Sequence, residues 1–228
     1  AGLFFADEAI LNLELVASLK KPTGFFDPEN PGSKGIEDPT KDVDEDKEQT
    51  TLEKSKSLRS PILSFANTDM AFRDDLLVAG NYHGFNMYRI EDDGIPNLIS
   101  SIVCPGGQGD VSIVGDLLIM SVEQVRSRID CGSDGVGRDA SSDRFRGIRI
   151  FDIADLENPR QVGAVQTCRG SHTHSVISGP TKDGKVIVYN SGTSSVRDEE
   201  EMEQCIGNVP GDNSCLLYTS PSPRDCLL

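Results

Sequence analysis

Two stretches of this chain repeat each other. GFNMYRIEDDGIPNLISSIVC, residues 84–104, aligns with GIRIFDIADLENPRQVGAVQTC, residues 147–168, placing Gly84 over Gly147, Ile90 over Ile153, Pro96 over Pro159 and Cys104 over Cys168. Each stretch contains two short apolar runs that alternate with polar residues and are separated by Asp, Gly, Asn and Pro. That is the signature of antiparallel strands joined by tight turns. The spacing is too long for one repeat until the polar stretch after Val122, ending near Arg146, is set aside as a loop. About 42 residues then remain, the length of a single four-stranded unit.

Further runs fill the unit: DMAF, LLVAGN, DVSIV, LLIMSV, HSVIS and VIVYNS. With no long segment of helical period, the expected fold class is all-β. It is read as a partial β-propeller of four-stranded antiparallel blades, strands a to d running from the hub outward. In the first blade the strands span residues 69–72, 76–81, 84–90 and 97–103. In the second they span 110–114, 117–122, 147–153 and 160–166. A third begins at 174–178 and 186–191. Near the N terminus NLELVASLKKP reads as strand d of an earlier blade, with an amphipathic helix over residues 8–19 as the competing reading. This segment, 1–26, is expected to be followed by a disordered acidic linker over 27–61, where charge, Pro, Ser and Thr replace large apolar residues and too little surface can be buried to offset the ordering entropy. The blades are assigned to 62–214.

GIRIFDIADLENPRQVGAV resembles an LVIVD repeat: a Gly, an alternating strand ending in Asp-Ile, a turn with Asn-Pro, then Val-Gly. The likeness extends over residues 66–196, and the flanking CPGGQGDVS and CRGSHTHS are similar to those of secreted bacterial members. The resemblance implies a β-propeller outside the cytoplasm, often without known activity. The first repeat departs from it. Arg89 stands where the second has Asp152, and DDGIPN replaces the Asn-Pro turn, so the part that Asp plays in fixing the turn is open there.

From Cys215 the chain reads CLLYTSPSPRD, which resembles a translated sequencing-library adapter, so residues 215–228 are expected to be adapter-derived rather than a natural Pro/Ser tail. The opening AGLFFADEAI, without methionine, reads as a processed or incomplete N terminus. Setting the tail aside leaves Cys104, Cys131, Cys168 and Cys205, which four cysteines can pair in three ways. The repeat favours one. Cys104 and Cys168 precede strand a of successive blades, Cys131 and Cys205 follow strand b of the same blades, and both loop types open on one face. Bridges Cys104–Cys131 and Cys168–Cys205 then close without crossing a sheet. They suit a secreted, periplasmic or cell-surface location. A structural metal at these cysteines is disfavoured by the lack of any Cys-x-x-Cys.

The formal net charge of −15 argues against nucleic acid and anionic membranes as partners, and no apolar run approaches the roughly 20 residues of a transmembrane segment. No nucleophile elbow, dinucleotide fingerprint or His-Glu-x-x-His is present, the glycines of CPGGQGD lack the Lys-Ser/Thr of a phosphate loop, and the insertion over 127–147 has only a fragment of a calcium-loop pattern. What remains is the hub. The repeat aligns Asp69, Asp110 and His174 at the start of strand a, with His172 two residues before His174. Two carboxylates and imidazoles meeting there could hold a divalent metal. The alternative is that Asp and His there bond loop N–H groups. His83, in the turn after strand b, is read as exposed, and the Glu199 to Glu201 run as solvated. The function expected is therefore a binding module for a protein or glycan partner through its loops, the insertion after Val122 foremost, with a metal-dependent enzyme as the alternative.

Overall fold

In the computed structural model the described residues are 10–19, 22, 25, 67–133, 135–137, 139–203 and 205. They are all-β, with ten strands and no helix. Strands β1 (Asn67–Arg73), β2 (Leu76–Asn81), β3 (Gly84–Ile90) and β4 (Pro96–Val103) form sheet 1. Sheet 2 contains β5 (Val111–Val114), β6 (Leu117–Val122), β7 (Gly147–Asp152) and β8 (Arg160–Gln166). A hairpin follows, β9 (Thr173–Ser178) with β10 (Ile187–Ser191). Every pairing is antiparallel and follows chain order within each sheet. The expected strand positions therefore hold to within a residue or two. The linker 27–61 and the tail 215–228 lie outside the described residues. Residues 10–19 contain neither the expected outer strand nor the competing helix.

The middle strands explain why the repeat is readable. Strands β2, β3, β6 and β7 are buried along most of their length, so they carry runs such as LLVAGN and LLIMSV, whereas the outer β4 and β8 are half-exposed and mix polar with apolar residues. Phe85 and Met87 from sheet 1 and Leu118, Met120 and Phe151 from sheet 2 meet in one core, the rings of Phe85 and Phe151 edge to face at 4.9 Å. Burying each such side chain stabilises the fold by about 1.5–3 kcal/mol. The inner strands lie side by side, β1 against β5 and β5 against β9.

Two turn features have local causes. Asp152 Oδ1 accepts the Ala154 N–H at 3.0 Å and Oδ2 faces Arg160 at 3.2 Å, bracing the turn between β7 and β8. In sheet 1, Arg89 instead pairs with Asp75, and Asp93 braces the equivalent turn by accepting the Ile95 N–H at 2.9 Å. The repeated Gly has a steric cause. Gly84 and Gly147 have φ of +143° and +147°, and a Cβ on either would sit 1.9 Å from a carbonyl oxygen of the next strand, that of Ile102 or Val165.

Gly147→Ala is accordingly expected to lower stability by at least about 2 kcal/mol, combining backbone strain with a clash that only strand separation relieves. Gly137→Ala, where a Cβ would meet nothing within 4 Å, is the control expected to leave it unchanged. Urea denaturation midpoints measure both.

Candidate functional site at the loop face

The loops entering the inner strands and those following β2, β6 and β10 share one end of the sheets, and both bridges lie there. Cys104 joins Cys131 with Cα atoms 4.4 Å apart, and Cys168 joins Cys205 at 5.2 Å. Closing loops of these lengths stabilises by about 3–4 kcal/mol each in the chain-entropy account.

Asp69 and Asp110 do the same work one sheet apart. Asp69 Oδ2 accepts the Val111 N–H at 2.9 Å, and Asp110 Oδ2 accepts the His174 N–H at 2.7 Å, so each carboxylate fastens its own inner strand to the backbone of the next. The bonds also fix the register. Val111 pairs with Met120 across its sheet and His174 pairs with Asn190, so His174 occupies the position of Val111, one residue along from that of Asp110. The expected equivalence of Asp69, Asp110 and His174 is corrected accordingly. The side chain of His174 turns back toward sheet 2, where Nδ1 lies 2.9 Å from Asp110 Oδ2 and 2.8 Å from Ser121 Oγ, and Ser121 Oγ is 2.7 Å from Ser171 Oγ.

This trio is not a nucleophilic relay. A serine activated by histidine must address the nitrogen opposite the one held by the acid, yet Ser121 and Asp110 share Nδ1, and Nε2 is buried without a hydrogen-bond partner. His172 takes a separate partner: its Nδ1 lies 2.7 Å from Glu123 Oε1, while Glu123 Oε2 accepts from Thr193 Oγ1 at 2.8 Å. Asp110 and His174 are thus bonded to each other, Asp69 to the Val111 N–H and His172 to Glu123. Among the described residues no three His, Cys, Asp or Glu side chains are placed to hold a metal ion. Inner strands sitting side by side present backbone N–H groups, and Asp69 and Asp110 accept two of them.

The strongest polar construction was not legible in the sequence. Glu201 is buried between two guanidiniums, Oε1 2.5 Å from Arg144 Nε and Oε2 3.0 Å from Arg197 Nε, and it accepts the Ser141 N–H at 3.0 Å. Arg144 also donates to the carbonyls of Val125, Gly137 and Asp139, and Arg197 to that of Arg144 and to Gln166. The insertion is thereby tied to the chain after β10. Glu201 is not a solvated carboxylate, and His83 is likewise buried, edge-on to Phe25 at 5.8 Å, rather than exposed. Arg149, in the GIRIFDI strand, is fully buried over the Phe145 ring. It donates to Ile129 O and Gln161 Oε1 and to Cys131 Sγ at 3.3 Å, with burial holding its pKa down to about 10. It supports the Cys104–Cys131 loop from beneath. An open cleft of about 640 Å³, between Leu98 and Leu156 at the β3–β4 and β7–β8 turns, lies at the other end of the sheets.

No family model matches the chain, and no curated protein matches it. Among solved structures it is similar to the crystal structure of the computationally designed Ika4 protein, at 15% identity and a TM-score of 0.23, over 56% of this chain and 92% of that one. Likeness at that level carries no argument.

Two acid-side predictions follow from the carboxylates. Burial alone would raise the pKa of Asp110, but its bonds to His174 outweigh that and leave it below the ordinary 3.8. For Glu201, burial is likewise outweighed by Arg144, Ser141 and Arg197. Carboxylates depressed in this way stabilise the fold above their unfolded values and lose that contribution as pH falls through the lower folded ones. Stability is therefore expected to fall below about pH 4, and Asp110→Asn to cost about 1.5–3 kcal/mol at pH 7 while flattening that acid limb. Glu201→Gln strands two buried guanidiniums and is expected to cost about 3–5 kcal/mol. Denaturation midpoints from pH 7 to pH 3 read both effects.

Proposed function

We propose that this chain belongs to a β-propeller of LVIVD-repeat type that works outside the cytoplasm, secreted, periplasmic or at the cell surface, as a binding module for a protein or glycan partner. Successive four-stranded antiparallel meanders with their first strands side by side support the architecture. Two bridges support an oxidising compartment. The observation that supports the binding role is the bracing of the loop face. The insertion after Val122 is held by Cys131, by Arg149 from below and by the Arg144–Glu201–Arg197 triad at its far end. A loop fixed in that way loses little conformational freedom on engaging a partner, which favours affinity.

The competing metal-enzyme reading draws on the same four residues, and equilibrium dialysis separates the two. Against zinc, manganese and calcium the protein is expected to retain well under one equivalent. Stoichiometric metal that disappears in His174→Ala would overturn the binding-module reading. On an array of immobilised oligosaccharides and extracellular proteins, retention is expected to fall at least tenfold when residues 133–142 are replaced by a Gly/Ser loop of equal length. Equal retention by both forms would remove the insertion from the binding role. Thiol titration of the unreduced protein is expected to find Cys104, Cys131, Cys168 and Cys205 unreactive.

A further inference from the structure

A guanidinium taken out of water needs a counter-charge, because an unpaired charge in the interior is costly. Arg149 on β7 has none. Its Nη1 donates to Ile129 O at 3.3 Å, Gln161 Oε1 at 3.0 Å and Cys131 Sγ at 3.3 Å, its Nη2 donates to Arg128 O, and its Nε is buried without a hydrogen-bond partner. Every one of those acceptors is neutral. Among the described residues no carboxylate pairs with Arg149: Asp130 acts on it only from a distance, because Arg128 already holds that carboxylate through bonds of 2.8 and 2.7 Å. Arg128 also faces Asp143 at 3.3 Å, and the neighbour from β8 is the uncharged Gln161 amide. Of the acceptors around Arg149, the Cys131 sulfur is the one that can become an anion. It is neutral in the bridge to Cys104, and a thiolate once that bridge is reduced. A thiolate beside a guanidinium is stabilised, and its thiol becomes more acidic. The second bridge has no such neighbour. Cys168 and Cys205 are buried with Val196 and Met202, apolar surroundings that disfavour a thiolate, and among the described residues no cation donates to either sulfur. The sequence separations, 27 and 37 residues, differ too little in closure entropy to rank the two bridges by themselves.

We propose that Cys131 is a site of thiol–disulfide exchange with a dithiol reductant, where the Cys104–Cys131 bridge opens while Cys168–Cys205 stays closed, and that Arg149 holds the released Cys131 as a thiolate. Cys104 is fully buried and Cys131 only partly, so the accessible sulfur is that of Cys131. One thiolate of the reductant attacks Cys131 Sγ. The S–S bond breaks, its electron pair passes to Cys104, which takes up a proton, and a mixed disulfide forms at Cys131. The reductant's second thiol gives its proton to solvent and attacks the reductant's own sulfur, and Cys131 departs as a thiolate facing Arg149 Nη1. The bridge has gained two electrons, and the reductant leaves as its own disulfide. Opening cuts the tie between the insertion and the loop entering β5, while Arg144, Glu201 and Arg197 keep the far end of the insertion in place. The inference rests on the surroundings of the two bridges and stands or falls independently of any partner at the loop face.

The test equilibrates the full chain, carrying Cys215→Ser and Cys226→Ser, in buffers of graded reduced-to-oxidised dithiothreitol, then quenches with acid and identifies each free cysteine by alkylation and peptide mass. The Cys104–Cys131 pair is expected to be half reduced at a ratio at least about tenfold below that needed for Cys168–Cys205. An equilibrium ratio is not moved by the greater exposure of Cys131, which affects only the rate. Once the first bridge is open, the rate of Cys131 alkylation by iodoacetamide is expected to reach half its maximum at least about one pH unit below the ordinary value of about 8.5. Arg149→Lys, which keeps the cation, is expected to retain a lowered midpoint, and Arg149→Met to return it toward the ordinary value. Simultaneous or reversed opening of the two bridges would overturn the proposal, as would an ordinary alkylation midpoint at Cys131. Both of those readouts come from the chain with Arg149 in place, so they decide the matter even where an Arg149 variant fails to fold.

Discussion

The structure depends on the burial of one sheet face against the next. A four-stranded antiparallel meander whose middle strands are apolar on both sides cannot be half-solvated in the usual way, because Val78 and Tyr88, or Leu118 and Ile119, point to opposite faces of the same sheet. Such a sheet needs a neighbour on each side. The core between sheets 1 and 2, centred on Phe85 and Phe151, satisfies one such demand. The same requirement sets the inner strands side by side, creating the line of backbone N–H groups to which Asp69 and Asp110 bond.

The loop face follows from that packing. Once the sheets are stacked, the loops entering each inner strand and those following each second strand emerge together, and cysteines placed in both kinds of loop come within bonding distance. The insertion would otherwise be a long polar loop over the surface. Arg149 reaches it from the sheet, and Glu201 gathers Arg144 and Arg197 from two distant segments. Because burying such charges is unfavourable unless they remain paired, their contribution is to specify one arrangement of the loops more than to add net stability.

Much of the fold was legible because strand period and turn chemistry are local. The alternation in GFNMYRI and GIRIFDI, the Asp-Asp and Gly-Asp turns, and the repeated Gly place nearly every strand. The cysteine pairing was legible one step further on, because it required only the loop order within a repeat. The candidate site was less so. Asp69 and Asp110 share the position that the repeat predicts, whereas His174 stands one residue further along, and a shift that reverses the facing of a side chain leaves almost no trace in a short strand. Glu201, His83 and Arg149 carry no local mark of burial. The groups that bury them, Arg144 and Arg197 for Glu201, Phe25 for His83, and Phe145 for Arg149, come from other parts of the chain.

The amino-acid order by itself thus determined the secondary structure, the repeat and the cysteine connectivity, because these depend on neighbours along the chain and on a period of two. Only the tertiary structure decided which carboxylate meets which partner: that Asp110 meets the His174 ring and Asp69 the Val111 N–H, and that Glu201 sits between two arginines. Those outcomes turn on distances of a few ångströms between segments tens of residues apart, and such distances exist only once the sheets have packed.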